Sequence, residues 1–160
     1  LVVYFKSFVH GRILIIRWLD PSVAGSAELA KLIERCHVAA EGPLFFASIV
    51  GATCPTPSSE AREAMRAGHE SVADRLTDSR TVILGRSIRQ SLMRSVLLNI
   101  ALLAGRDVKR FVIDGSAEDM AAAAQAALGV DPTWLLQRLI DAGMLEQGEL
   151  TRPLAAPSRP

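Results

Sequence analysis

The sequence predicts an α/β domain: a mostly parallel sheet opened by an antiparallel hairpin, helices packed on the sheet, and one extra helix near the C-terminus. Three observations predict it. Two runs rich in β-branched and aromatic residues, 2–9 and 12–20, are separated only by a His10-Gly11 turn signal, which reads as a hairpin. Residues 44–50 (Leu-Phe-Phe-Ala-Ser-Ile-Val) are apolar on both faces, the pattern of a strand covered on both sides. After the hairpin, strand-like runs alternate with helix-like runs, which implies parallel strands joined by right-handed crossovers.

The remaining elements follow in order. Pro21-Ser22 ends the second strand. Leu29, Leu32, Ile33, Cys36 and Ala40 then recur at helical spacing, and Glu41-Gly42-Pro43 stops that helix. Residues 51–57 form a loop in which Thr56 reads as an N-cap and Pro57 as the first helical residue. The helix after it puts Ala61, Met65, Val72 and Leu76 on one stripe, opposite a charged face carrying Arg62, Glu63, Arg66 and Glu70. Residues 81–84 read as a short strand and 88–104 as a helix ended by Gly105. A strand at 108–113 leads to a helix with Ser116 as its cap and Asp119 three residues on, stopping at Gly129. Asp131-Pro132 opens a last helix holding Leu135, Leu136, Leu139 and Ile140. The chain thus reads as one domain over residues 1–150, with 131–145 as the added helix and 151–160 as a disordered tail with three prolines.

Composition bounds the function. A chain of 160 residues buries roughly two-thirds of its unfolded surface and needs no staples. With 18 basic and 17 acidic residues the net charge is +1, so no nucleic-acid or acidic-membrane partner is expected. The most apolar stretch, 95–104, lies between Arg94 and Arg106 and is too short for membrane insertion. Residues 1–10 carry Lys6 and His10 and lack a basic n-region and a cleavage site, so no signal peptide is expected. Two cysteines do not make a disulfide framework, and the expected compartment is the cytoplasm.

Two stretches carry a family resemblance. After the third strand stands Pro57-Ser58-Ser59-Glu60. From Thr81 to Asp119 a strand leads to an apolar helix, then to Arg110-Phe111-Val112-Ile113, then to a Ser-capped helix with an acidic start. In these stretches and in element order, residues 2–128 resemble the STAS domain, the family of the anti-anti-sigma factors and of sulfate-transporter regulatory domains. Regulatory members carry Asp-Ser-Ser-Gly or a close variant at the first stretch; here both serines are present and the Asp and Gly are not. The proline-rich loop 53–57 and the helix from Asp131 are further departures. The resemblance implies a non-enzymatic bacterial regulatory domain of the anti-sigma factor antagonist type. Its partner would be a kinase or an anti-sigma-type protein, and it would need no cofactor.

Ser58 and Ser59 are therefore the candidate phosphorylation and docking residues. In a first helical turn, free N–H groups and the helix dipole favour a phosphate; serines are also common there simply because they satisfy orphan donors. Arg86, Ser87 and Arg89, around a strand end, are the candidate anion-binding residues, the alternative being a solvated basic helix start. The helix from Ile88 is apolar on more than one face, so Leu97, Leu98, Leu102 and Leu103 are candidate interface residues. The last helix through Trp134 and Leu139, a homodimer partner or an apolar ligand could cover them.

Other groups read as structural. Cys36 lies on an apolar stripe, and Cys54 sits in a loop with no base beside it in sequence. His10, His37 and His69 lie on different elements, so no metal site is expected. Asp20 and Asp114 end strands and read as caps or turn formers. Residues 134–145 faintly echo a winged-helix phrase, but one short helix with one Arg does not read DNA. With no paired carboxylates, nucleophile elbow or phosphate cradle, no enzymatic activity is expected. The alternative function is a small-molecule or lipid-binding domain, since lipid-transfer domains of the Sec14 type share a related architecture. A cavity beside Leu97 and its neighbours would favour that alternative.

Overall fold

The computed structural model describes residues 1–85, 88–103 and 111–155, with backbone alone for residues 88, 89 and 99–103. The chain runs β1 (Phe5–His10), β2 (Ile13–Trp18), α1 (Val23–Ala40), β3 (Leu44–Val50), α2 (Ser59–Val72), β4 (Leu76–Ile83), α3 (Ile88–Leu103), β5 (Phe111–Asp114), α4 (Ala117–Leu128) and α5 (Pro132–Asp141). Short 3₁₀ turns at Ala73–Arg75 and Gln147–Glu149 follow α2 and α5. The five strands form one sheet in the order β1-β2-β3-β4-β5. β1 is antiparallel to β2, and the remaining pairs are parallel. The predicted architecture is the observed one.

The hairpin turns in two residues, with His10 opposite Ile13. Gly11 sits at φ 55°, a left-handed value that suits glycine and matches the twist of the flanking strands. α1 is capped by Ser22, whose Oγ accepts from Gly25 N at 3.2 Å. It ends at Glu41 in the left-handed region, φ 53°. All seven residues of β3 are buried, as a doubly covered strand requires. Ser116 and Asp131 cap α4 and α5 through Asp119 N at 3.1 Å and Trp134 N at 2.8 Å. Gly129 closes α4 at φ 70°.

Strand order equals chain order, so every parallel crossover steps in the same direction. A constant crossover hand then places α1, α2 and α3 on one face of the sheet. The packing agrees. Leu14, Ile16 and Trp18 of β2 and Leu44 and Phe46 of β3 meet Ile33, Val72, Met93 and Leu97 of these helices. The alternate residues of the same strands, Ile13, Ile15, Phe45, Ala47 and Ile49, face the other way. They pack against α4 and α5 through Met120, Ala121, Ala124, Leu135, Leu136 and Leu139. Small residues at Ala47, Ala121 and Ala124 let α4 lie close to the sheet.

Several expectations are corrected. The last helix was one candidate cover for the apolar helix from Ile88. Instead α5 lies beside α4 on the opposite face, because the chain crosses the sheet after β5. The fourth strand begins at Leu76 rather than at Thr81, so Leu76 belongs to the sheet and not to the helical stripe of α2. The reason is pairing: Leu44 to Val50 supply a full parallel partner from Leu76 to Ile83. In the expected tail, Thr151, Arg152 and Leu154 make contacts with the domain. Glu118 Oε1 accepts from Thr151 N at 2.6 Å, Thr151 Oγ1 at 2.9 Å and Arg152 N at 3.1 Å. Leu154 packs on the α4/α5 core. Residues 156–160, the rest of the expected tail, lie outside the described residues. Among the described residues, no helix is long and apolar enough to cross a membrane.

Candidate functional site

The parallel strands β2 and β3 end beside the starts of α1 and α2. Open α/β sheets usually bind ligands where the strand order reverses. Here the order never reverses, so the sheet itself opens no crevice at this edge. Loops make a groove instead, of about 370 Å³. Asp20, Pro21 and Ser22 line one bank, and Thr56, Pro57 and Ser58 the other.

Ser58 is the N-cap of α2, not a residue of its first turn. Its backbone is extended, φ −63° and ψ 168°, and its Oγ accepts from Ala61 N at 3.1 Å. The expected Thr56 cap fails because Pro57 is drawn inward. It is buried and shares a small pocket with Cys54, Met65 and Met93. The helix therefore starts two residues later, at Ser59, which is exposed. Arg62 Nη2 donates to Ser59 Oγ at 2.9 Å. Both serines thus stand at the groove end of α2, one lining the groove and capping the helix, the other facing solvent beside a guanidinium.

Arg86 and Ser87 of the candidate anion site lie outside the described residues, as does the side chain of Arg89. Arg94 is turned to the backbone, with Nη2 donating to Ile83 O at 3.4 Å. Of the candidate interface leucines, Leu97 is buried in the core and Leu98 is 51 % exposed; the side chains of Leu102 and Leu103 lie outside the described residues. Leu92 is also exposed, but six residues from Leu98 and so on a different side of the helix.

Cys54 is buried, with its Sγ 3.6 Å from Pro55 O. Cys36 is half-buried, and burial pushes its thiol above the ordinary value, so it is held protonated. The three histidines serve separate contacts. His10 lies against Trp134 with ring centres 4.8 Å apart, His37 Nδ1 bonds Gly42 O at 2.9 Å, and His69 meets Phe111 edge to face at 5.7 Å. Among the described residues, no group of three His, Cys, Asp or Glu side chains converges to hold a metal. Asp114, a strand-end carboxylate, is taken by Arg80.

A second space lies under α1 and α2, and Leu97 reaches into its wall. It is a cavity beside Leu97, the feature that favours the ligand-binding alternative; what the sequence does not show is its hydroxyl lining. Its hydroxyl-bearing residues come from three elements, and each looks unremarkable alone. The one local signal is Ser48, a hydroxyl in the middle of a fully buried apolar strand.

The chain matches no protein-family model and no curated protein.

Proposed function

We propose that this chain is a STAS-like regulatory domain that works by binding another protein, docking through the start of α2. The supporting observation is the placement of Ser58 and Ser59. They stand at the head of the helix after the third strand, Ser58 lining a groove shared with the start of α1 and Ser59 facing solvent next to it. A phosphate there would meet free backbone N–H groups, the positive end of the helix dipole and Arg62. It would add close to two negative charges beside Arg62 and across the groove from Asp20. The partner in this reading is a kinase or an anti-sigma-type protein, and the domain itself catalyses nothing.

Phosphosite mapping of the protein from its native cells tests the reading, together with capture of partners by wild type and by Ser58→Asp/Ser59→Asp. Phosphate on either serine, and a partner held by wild type but lost by the double variant, are the expected results. Unmodified serines and identical capture by both baits would remove the switch from this helix start.

A further inference from the structure

The space under α1 and α2 has a volume of about 80 Å³. Trp18, Phe46 and Leu97 wall it; Met65, His69 and Phe111, half-exposed, form its rim. Its floor is the middle of the sheet, where Ser48 of β3 lies beside Thr81 of β4.

The polar groups inside are neutral and under-used. Ser48 Oγ and Thr81 Oγ1 are 3.0 Å apart and bond each other. Only one of them can donate to the other, so the pair keeps one hydrogen to offer elsewhere. Ser26, on α1 above them, is 6 % exposed, and its Oγ is buried with no hydrogen-bond partner among the described residues. A buried hydroxyl left in that state destabilises the fold unless something meets it. Among the described residues no carboxylate, ammonium or guanidinium lines the space. A charged ligand would therefore lose its hydration with no counter-charge in return. Burial holds the His69 imidazole below its ordinary pKa, which keeps the rim neutral as well.

Volume sets the size of the occupant. A cavity of about 150 Å³ accepts benzene, so this one accepts roughly half as many heavy atoms, with room for a little more at the rim. That excludes a lipid acyl chain. We propose that the cavity binds a small neutral molecule with an aliphatic body and one hydrogen-bonding oxygen, the class of the short-chain alcohols and ketones, with the Ser26 hydroxyl as its polar anchor. This site is separate from the helix start at Ser58, and neither reading depends on the other.

The test is a titration of the whole chain with isopropanol and, separately, with xenon, followed by amide and methyl NMR. Both probes are expected to give saturable shifts at Ile33, Val72 and Leu97. In Ser26→Ala, isopropanol is expected to bind about three- to ten-fold more weakly, the loss of one hydrogen bond, while xenon binds as before. Ala30→Leu, which pushes a side chain into the space from a half-buried position, should abolish both. Shifts that never saturate in wild type overturn the proposal, as does a bound water cluster that neither probe displaces. Isopropanol binding unchanged in Ser26→Ala removes the anchor. Equal weakening of both probes means that the substitution only disturbs packing. Should Ala30→Leu fail to fold, the contrast between the two probes in Ser26→Ala still decides.

Discussion

Arg80 reaches from β4 to β5 and grips Asp114 with two parallel hydrogen bonds, Nε to Oδ2 at 2.8 Å and Nη2 to Oδ1 at 2.7 Å. The Asp114 side chain is 4 % exposed, so this is a buried fork-to-fork pair. It joins the edge strand to the sheet on the α4 side. The bonds to Asp114 raise the Arg80 pKa against the opposing effect of burial, so the guanidinium stays charged. Removing one partner strands the other. Asp114→Ala should destabilise the domain by about 3 kcal/mol, the low end for a broken buried pair, because Asp78 stands 3.7 Å from Arg80 and takes up part of the charge. The double variant Arg80→Met/Asp114→Leu should recover most of the loss. Urea unfolding measures both; a loss below about 1 kcal/mol for Asp114→Ala would mean that water replaces the carboxylate freely.

Ser58→Ala removes the acceptor for Ala61 N and should lower stability by about 1 kcal/mol. Ser58→Asp and Ser59→Asp should fold as well as wild type, because a carboxylate suits both the cap and the first turn. Thermal melts of the three variants check this. A drop of several degrees for Ser58→Asp would contradict Ser58 as the cap.

Gly68 lies in the interior of α2 with an ordinary helical backbone, and a Cβ there would meet only Ser26 O, at 4.0 Å. The position has room for alanine and carries the entropic cost of glycine. Gly68→Ala should therefore stabilise by about 0.5–1 kcal/mol, raising Tm by about 1–4 °C. A fall in Tm would show that α1 and α2 pack more tightly there than the distance implies.

Burial lowers the His69 pKa, so the folded chain holds the neutral ring while the unfolded chain takes up a proton at the ordinary value near 6.5. The unfolded state then binds more protons as pH falls. The stability contributed by the neutral ring is complete above that ordinary value. It is lost progressively as pH drops toward the lowered folded value, and it does not recover below it. His69→Phe should flatten that part of the stability curve between about pH 7 and pH 5. Denaturant midpoints across that range provide the measurement; parallel curves for the two proteins would place the acid sensitivity elsewhere.

The two faces of the sheet were legible because β2 and β3 are apolar on both faces, interrupted only by Arg17 and Ser48. The caps at Ser116 and Asp131 were legible because a hydroxyl or carboxylate stands directly before each helical run, whereas Ser22 reads only as the end of the second strand and is found to cap α1. The first five residues of β4 were not. Asp78 and Arg80 look like the surface of a helix, and only their pairing on the α4 face makes them strand residues. The α2 cap was misplaced by two residues because Thr56-Pro57 and Ser58-Ser59 satisfy the same local rule. Tertiary burial of Pro57 chose between them. The position of α5 depends on which face the chain takes after β5, a choice that no periodicity records. The cavity depends on four small hydroxyl residues meeting from α1, β3 and β4, which only the packed structure brings together.

Each strand of this sheet lies beside the one made just before it. A chain leaving the ribosome N-terminus first therefore offers every strand after β1 a partner that is already made. The β1–β2 ribbon can serve as a template for β3, then β3 for β4, with only one crossover to close at each step. Such vectorial growth keeps the loop-closure cost of every pairing small and the lifetime of exposed apolar edges short, so the same topology that leaves the fold without a strand-reversal crevice favours its assembly during translation.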